Sequence, residues 1–181
     1  CFFTRKIRKN ARPVCKEEST LIAPADSKLL VYPITSDLQP NIKGRRYTLQ
    51  ELLGKEMIRK IRGKTDLKDF AGGTCMVFRL TMDDYHRYCF VDEGEVLESC
   101  YIKGKLHTVS PVSSEFKVYQ ENSRAVSLLR TKNFGDILQI EVGALLVGKI
   151  VNHAMKDFKK GQEKGYFEPG GSTIVLLLKK D

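Results

Sequence analysis

A serine hydroxyl stands behind two glycines in Gly170-Gly171-Ser172-Thr173, immediately before the apolar run Ile174-Val-Leu-Leu-Leu178. Two residues without side chains let the backbone adopt conformations closed to others, although a serine after Gly-Gly is ordinarily just a turn. Serine becomes a nucleophile only when a base takes its proton. The bases available are three histidines, His86, His107 and His153, far apart along the chain. No HExxH, P-loop, GxSxG or GxGxxG motif occurs, so spacing alone points to none of the chemistries those motifs carry. Five cysteines (Cys1, Cys15, Cys75, Cys89, Cys100) form no CxxC pair. They suggest neither a disulfide framework nor a zinc site, no metal is expected, and a reducing, cytoplasmic compartment fits best.

The elements that must position these groups read as mostly β. Segments rich in β-branched and aromatic residues recur between turn signals: Leu29 to Ile34, Thr74 to Leu80, Glu95 to Ile102, Phe116 to Tyr119, Ala125 to Arg130, Ile137 to Ile150 and Thr173 to Leu178. One helix is signalled strongly. Thr48 and Glu51 have capping-box spacing, and Leu49, Leu52, Leu53, Met57 and Ile61 follow near helical period, which predicts a helix from Thr48 to about Gly63. From Phe134 to Leu178 glycines punctuate the apolar strands, as in the corner-rich half of a β-sandwich or small barrel. The expected fold is mainly β (α+β), a compact sandwich- or barrel-like domain with a barrel-sandwich-like C-terminal half and one or two peripheral helices. With 181 residues and no linker or repeat, residues 1–181 form a single domain with a real core.

The chain carries a net charge of +9, concentrated in two places. Residues 1–20 hold six basic and two acidic side chains, and residues 41–64 hold eight and two. Such patches attract nucleic acid or anionic lipid through the same long-range field. Aromatic residues are not interleaved with the basic runs as a stacking platform requires, which argues against nucleic acid. No apolar stretch approaches the ~20 residues needed to span a bilayer, so nothing in the chain is expected to cross one.

Set beside Gly170-Gly171-Ser172-Thr173, other groups make an ordered set. They are Pro24-Ala25-Asp26; Lys43-Gly44 followed by Tyr47 and Leu52-Leu53; Phe78-Arg-Leu-Thr-Met-Asp-Asp-Tyr-His-Arg87; Asn122 with Arg124; Val142-Gly-Ala-Leu-Leu-Val-Gly148; and Lys164-Gly165-Tyr-Phe-Glu-Pro-Gly-Gly-Ser-Thr173. In this order and spacing they resemble the phosphatidylserine decarboxylase family along nearly the whole chain. The resemblance implies a proenzyme that cuts itself between Gly171 and Ser172, leaving a β chain of residues 1–171 and an α chain from 172 that pair without a covalent link. Ser172 would become the pyruvoyl cofactor, an electron sink for loss of carbon dioxide from phosphatidylserine to give phosphatidylethanolamine.

The resemblance also assigns roles. Asp26 would orient and charge-balance a base. His86 would exchange protons with the substrate carbon. Tyr85, Arg87 and Arg124 would bind substrate, with an arginine holding a carboxylate or phosphate. Two positions depart from the family pattern: Ser27 stands where a glycine follows the aspartate, and Cys89 replaces the second histidine of Asp-Tyr-His-Arg-x-His. Either His107 from a neighbouring strand, or Cys89 as a thiolate of lowered pKa, would then deprotonate Ser172. The expected partner is the anionic bilayer, on the cytoplasmic side of the cell membrane, with a homodimer implied by the resemblance. Two alternatives remain in view: a pyruvoyl decarboxylase of another amino acid, and a non-catalytic barrel-sandwich module, although no Met-Lys-Met type turn is present.

Overall fold

The computed structural model describes residues 5–8, 11–42, 45–104, 118–143, 149–168 and 172–180. In chain order the elements are β1 (Lys28–Pro33), β2 (Asn41–Ile42), β3 (Arg45–Arg46), α1 (Leu49–Ile61), a 3-10 turn (Leu67–Phe70), β4 (Thr74–Leu80), β5 (Arg87–Cys89), β6 (Gly94–Ile102), α2 (Val118–Glu121), β7 (Arg124–Thr131), β8 (Gly135–Gly143), β9 (Ile150–Asn152), β10 (Asp157–Phe158), β11 (Glu163–Phe167) and β12 (Ser172–Leu178). The described strands form a seven-stranded sheet in the order β1-β4-β12-β8-β7-β6-β10, a three-stranded sheet in the order β5-β11-β9, and the small β2-β3 ribbon. All pairings are antiparallel. The mainly β expectation holds, and the described strands form no closed barrel. The strands of the C-terminal half are divided, β12 going to the centre of the large sheet and β9 and β11 to the small one.

Strand alternation sorts the large sheet into two faces. Val77, Val126, Leu128, Leu138, Ile140, Val142, Val175 and Leu177 share one buried cluster with Leu49, Leu52, Leu53, Met57 and Ile61 of α1. Phe78, Leu80, Ala125, Ile137, Ile174 and Leu176 belong to a second cluster with Tyr88, Ile150 and Phe167 of the small sheet. The helix therefore covers one face and the small sheet part of the other. Each of those fully buried α1 side chains contributes about 1.5–3 kcal/mol by leaving water.

Helix α1 begins where the sequence places it. Thr48 Oγ1 accepts from the Glu51 N–H at 3.0 Å and Glu51 Oε2 accepts from the Thr48 N–H at 2.9 Å. It is broken inside at Gly54, whose φ of 71° and ψ of 158° interrupt the hydrogen-bond ladder. The strand expected over Phe116 to Tyr119 is corrected: among described residues Val118–Glu121 is a short helix, whose Tyr119 ring packs edge-on against Tyr47 at 5.5 Å. No helix among the described residues is long and apolar enough to cross a membrane.

Candidate active site

Ser172 is the first residue of β12, an interior strand of the large sheet flanked by β4 and β8, and faces Leu80 of β4 and Gly143 of β8. The two-residue alternation puts its side chain on the face of Ile174 and Leu176, beneath the small sheet. It is completely buried, and Oγ has no hydrogen-bond partner among the described residues. A buried hydroxyl without a partner costs about 1–3 kcal/mol, a state Ser172 shares with Thr173 beside it among the described residues.

His86 lies in the same region between the layers. It is fully buried, and its ring meets Phe167 edge-on at 6.5 Å. Nδ1 stands 2.9 Å from the Asp84 carbonyl. A carbonyl only accepts, so Nδ1 carries a proton in this contact. Asp84 is itself fixed, because its carboxylate accepts from the Thr81 N–H and the Thr81 hydroxyl. The Phe167 N–H donates to the His86 carbonyl at 3.0 Å, and the Phe167 ring also packs on Tyr88 at 4.9 Å.

The remaining expected site residues fall elsewhere. From Tyr85 to Phe90, a segment that includes β5, the side chains alternate: His86, Tyr88 and Phe90 are buried, whereas Tyr85, Arg87 and Cys89 line an open cavity of about 580 Å³ with Asp26, Arg8 and Arg12. The Tyr85 hydroxyl accepts from the Ile7 N–H at 3.4 Å. Arg87 Nη1 donates to Glu163 at 2.8 Å and its guanidinium lies over Tyr166, 4.8 Å from the ring centre.

Three expected site residues have partners the sequence did not suggest. The Asp26 carboxylate accepts from Arg12 at 2.6 and 3.2 Å, and the His86 imidazole meets the Asp84 carbonyl. Cys89 is no thiolate, since burial pushes its pKa up to about 12 and its Sγ–H points to the Ala23 carbonyl at 3.8 Å. Arg124 is directed at backbone carbonyls around the start of α1. It is buried, and its guanidinium donates to the carbonyls of Leu52 at 2.7 Å, Glu51 at 3.0 Å, Asn122 at 3.1 Å and Gln120. The break at Gly54 explains this, because it deprives the first turn of α1 of its own donors. Gly171 and His107 lie outside the described residues.

Sequence reasoning missed a buried polar cluster on the face that carries Ser172. Lys164 and Glu141, 3% and 0% exposed, pair at 2.8 Å. Asn152 donates to Glu141 at 3.2 Å, Gln139 donates to it at 2.9 Å, and the Tyr88 hydroxyl donates to Asn152 at 3.0 Å. This cluster ties β11 and β9 to β8, and so fixes the small sheet over Ser172. One signal was present: Gln139 and Glu141 interrupt an apolar strand at two-residue spacing, which demands a buried partner of opposite charge. Among the described residues no three His, Cys, Asp or Glu side chains converge as a metal site.

The family model described as phosphatidylserine decarboxylase matches residues 1–181. The chain is 57% identical over 180 residues to phosphatidylserine decarboxylase proenzyme 2 of Clostridium acetobutylicum, an alignment covering 99% of this chain and 59% of that protein. It is 40% identical over 185 residues to the phosphatidylserine decarboxylase proenzyme of Clostridium tetani and 41% over 186 residues to that of Clostridium novyi, covering 99% of this chain and 60% of each. The chain thus spans about three fifths of the length of the curated relatives it matches.

Proposed function

The chain belongs to the phosphatidylserine decarboxylase family, and on that premise we propose that it is the self-processing body of a pyruvoyl-dependent phosphatidylserine decarboxylase. The observation that carries this reading is Ser172: a fully buried hydroxyl without a partner among the described residues, at the start of a central strand. That position fits a precursor of a pyruvoyl group. The hydroxyl is held away from bulk water, and the rest of β12 is anchored on both sides by β4 and β8.

In the proposed maturation Ser172 Oγ attacks the carbonyl carbon of Gly171 as a base removes its proton. The C–N bond breaks, the serine nitrogen takes a proton, and the two segments are joined by an ester. Loss of the Ser172 α-proton expels the Gly171 carboxylate, and water then replaces the nitrogen, released as ammonia, to leave the pyruvoyl ketone. The glycine before the serine lowers the steric cost of distorting the backbone. We assign these proton transfers to His86, whose imidazole is buried against Phe167 of the small sheet. After the cut β12 stays paired between β4 and β8, so the two chains remain one folded unit without a peptide link.

Once formed, the group withdraws electrons from the substrate carbon as carbon dioxide leaves. The chain's own residues then place the head group, keep water out and return a proton, a role for His86. The cavity bearing Tyr85 and Arg87, with Arg8 and Arg12, presents cationic groups suited to an anionic phospholipid head. Exposed Lys55 and Arg59 on α1, with Arg62 at its C-cap, form a basic surface for the anionic cytoplasmic leaflet, each worth about 1 kcal/mol near the lipid. A homodimer at that surface completes the reading.

The test is a denaturing mass spectrum of the protein, followed by incubation with phosphatidylserine vesicles. A fragment ending at Gly171, another beginning with a pyruvoyl group at position 172, and release of phosphatidylethanolamine are expected. An uncut, inactive chain would overturn the proposal.

A further inference from the structure

Resting on the proposed self-cleavage, we infer that Asn122 is a positioning residue for that reaction, acting on Ser172 through the backbone of Gly143. Ser172 and Gly143 are register partners across β12 and β8. The Gly143 N–H donates to the Ser123 carbonyl at 2.9 Å, and the Gly143 carbonyl accepts from Asn122 Nδ2 at 2.7 Å. Both polar groups of Gly143 therefore point away from β12. Ser172 meets it in a non-hydrogen-bonded pair, in which opposing Cα atoms come to about 4.5 Å rather than 5.5 Å. Ser172's own amide, the leaving group of the cut, is directed to Leu80.

The close approach of Ser172 is thus set on the β8 side by a residue with no side chain, and the position of that residue is set by Asn122. Asn122 is itself immobilised. It is fully buried, its carbonyl accepts from Arg124 Nη1, and the next residue, Ser123, exchanges two hydrogen bonds with the Gly104 backbone at 2.9 and 3.0 Å. A side-chain amide gripping the last described residue of β8 has no counterpart in an ordinary ladder, where another backbone N–H would serve. Its effect is to hold the strand end opposite the scissile bond where the ladder alone would let it fray. Small displacements of a nucleophile relative to its carbonyl are costly in rate.

The experiment follows cleavage at Gly171-Ser172 in freshly synthesised native chain, Asn122→Ala and Asn122→Asp, at pH 8 and pH 5, by denaturing mass spectrometry. Melting of each is read in a Ser172→Ala background, where cutting does not intervene. Asn122→Asp is nearly isosteric and serves if the alanine variant fails to fold. At pH 8 its carboxylate offers no donor to the Gly143 carbonyl; burial raises a carboxyl pKa, so by pH 5 the protonated form regains an O–H donor. Both variants should cut at least about tenfold more slowly than native at pH 8, the loss of one positioned hydrogen bond. The ratio of Asn122→Asp to native should recover severalfold at pH 5, while that of Asn122→Ala stays low. Native rates in the variants, or a deficit in Asn122→Asp that does not change with pH, would overturn the inference. A native chain that never cuts would remove the proposed function, and this inference with it.

Discussion

The Phe167 amide donates to the His86 carbonyl at 3.0 Å, so the strand that leads toward Ser172 is tied to the segment that carries the imidazole. The same phenylalanine packs its ring on both His86 and Tyr88. The imidazole and the strand that precedes Ser172 are thereby held by one residue.

Replacing His86 by Ala or Gln should slow self-cleavage by about 10²- to 10⁴-fold, the usual contribution of a positioned proton-transfer group. The measurement is the fraction of uncut chain against time after synthesis. Cleavage at the native rate in His86→Gln would show that another group supplies the base.

Cys89 should behave as an inert thiol. Burial penalises the charged form, so its pKa rises to about 12 and thiolate accumulates only as pH climbs toward that value. At pH 7.5 its alkylation by iodoacetamide should be about a thousandfold slower than that of an ordinary thiol of pKa ~8.5, with the exposed Cys15 as internal reference. Cys89→Ala should still be cut, as peptide mapping after alkylation and mass analysis would show.

Arg124→Ala should lower stability by about 3 kcal/mol, because four backbone carbonyls lose a charged donor in a buried setting. Denaturant unfolding in a Ser172→Ala background would measure this. In whatever enzyme matures, KM for phosphatidylserine should stay unchanged, and a large rise in KM would return Arg124 to the substrate.

Glu141→Gln and Lys164→Met should each destabilise by about 3–5 kcal/mol, since each strands a buried partner of opposite charge. The double variant Glu141→Leu with Lys164→Met should recover much of that loss. Unfolding of the three variants compared with native would read the coupling directly.

Local rules made several features legible from the residues alone. The capping box at Thr48 and Glu51 placed α1, and runs rich in β-branched and aromatic residues between turn signals placed β4 and β12, because neighbouring side chains decide these features. The break at Gly54 was not legible. A glycine in a helical pattern reads as a weak point, and only the arrival of Arg124 from β7 makes the broken ladder tolerable.

The sequence by itself determined the family and the mainly β architecture, and it singled out Ser172 as the candidate nucleophile, because the ordered motifs and the periodicity are properties of the chain. The tertiary structure decided which candidates meet. Strand alternation turns His86 inward and Tyr85, Arg87 and Cys89 outward, although they are consecutive in one motif. Arg124 went to the helix, and Asp26 to Arg12. Partner choice for a charged or polar side chain depends on what distant segments bring within about 3 Å and on whether water is excluded there. Neither condition is written in the order of the residues.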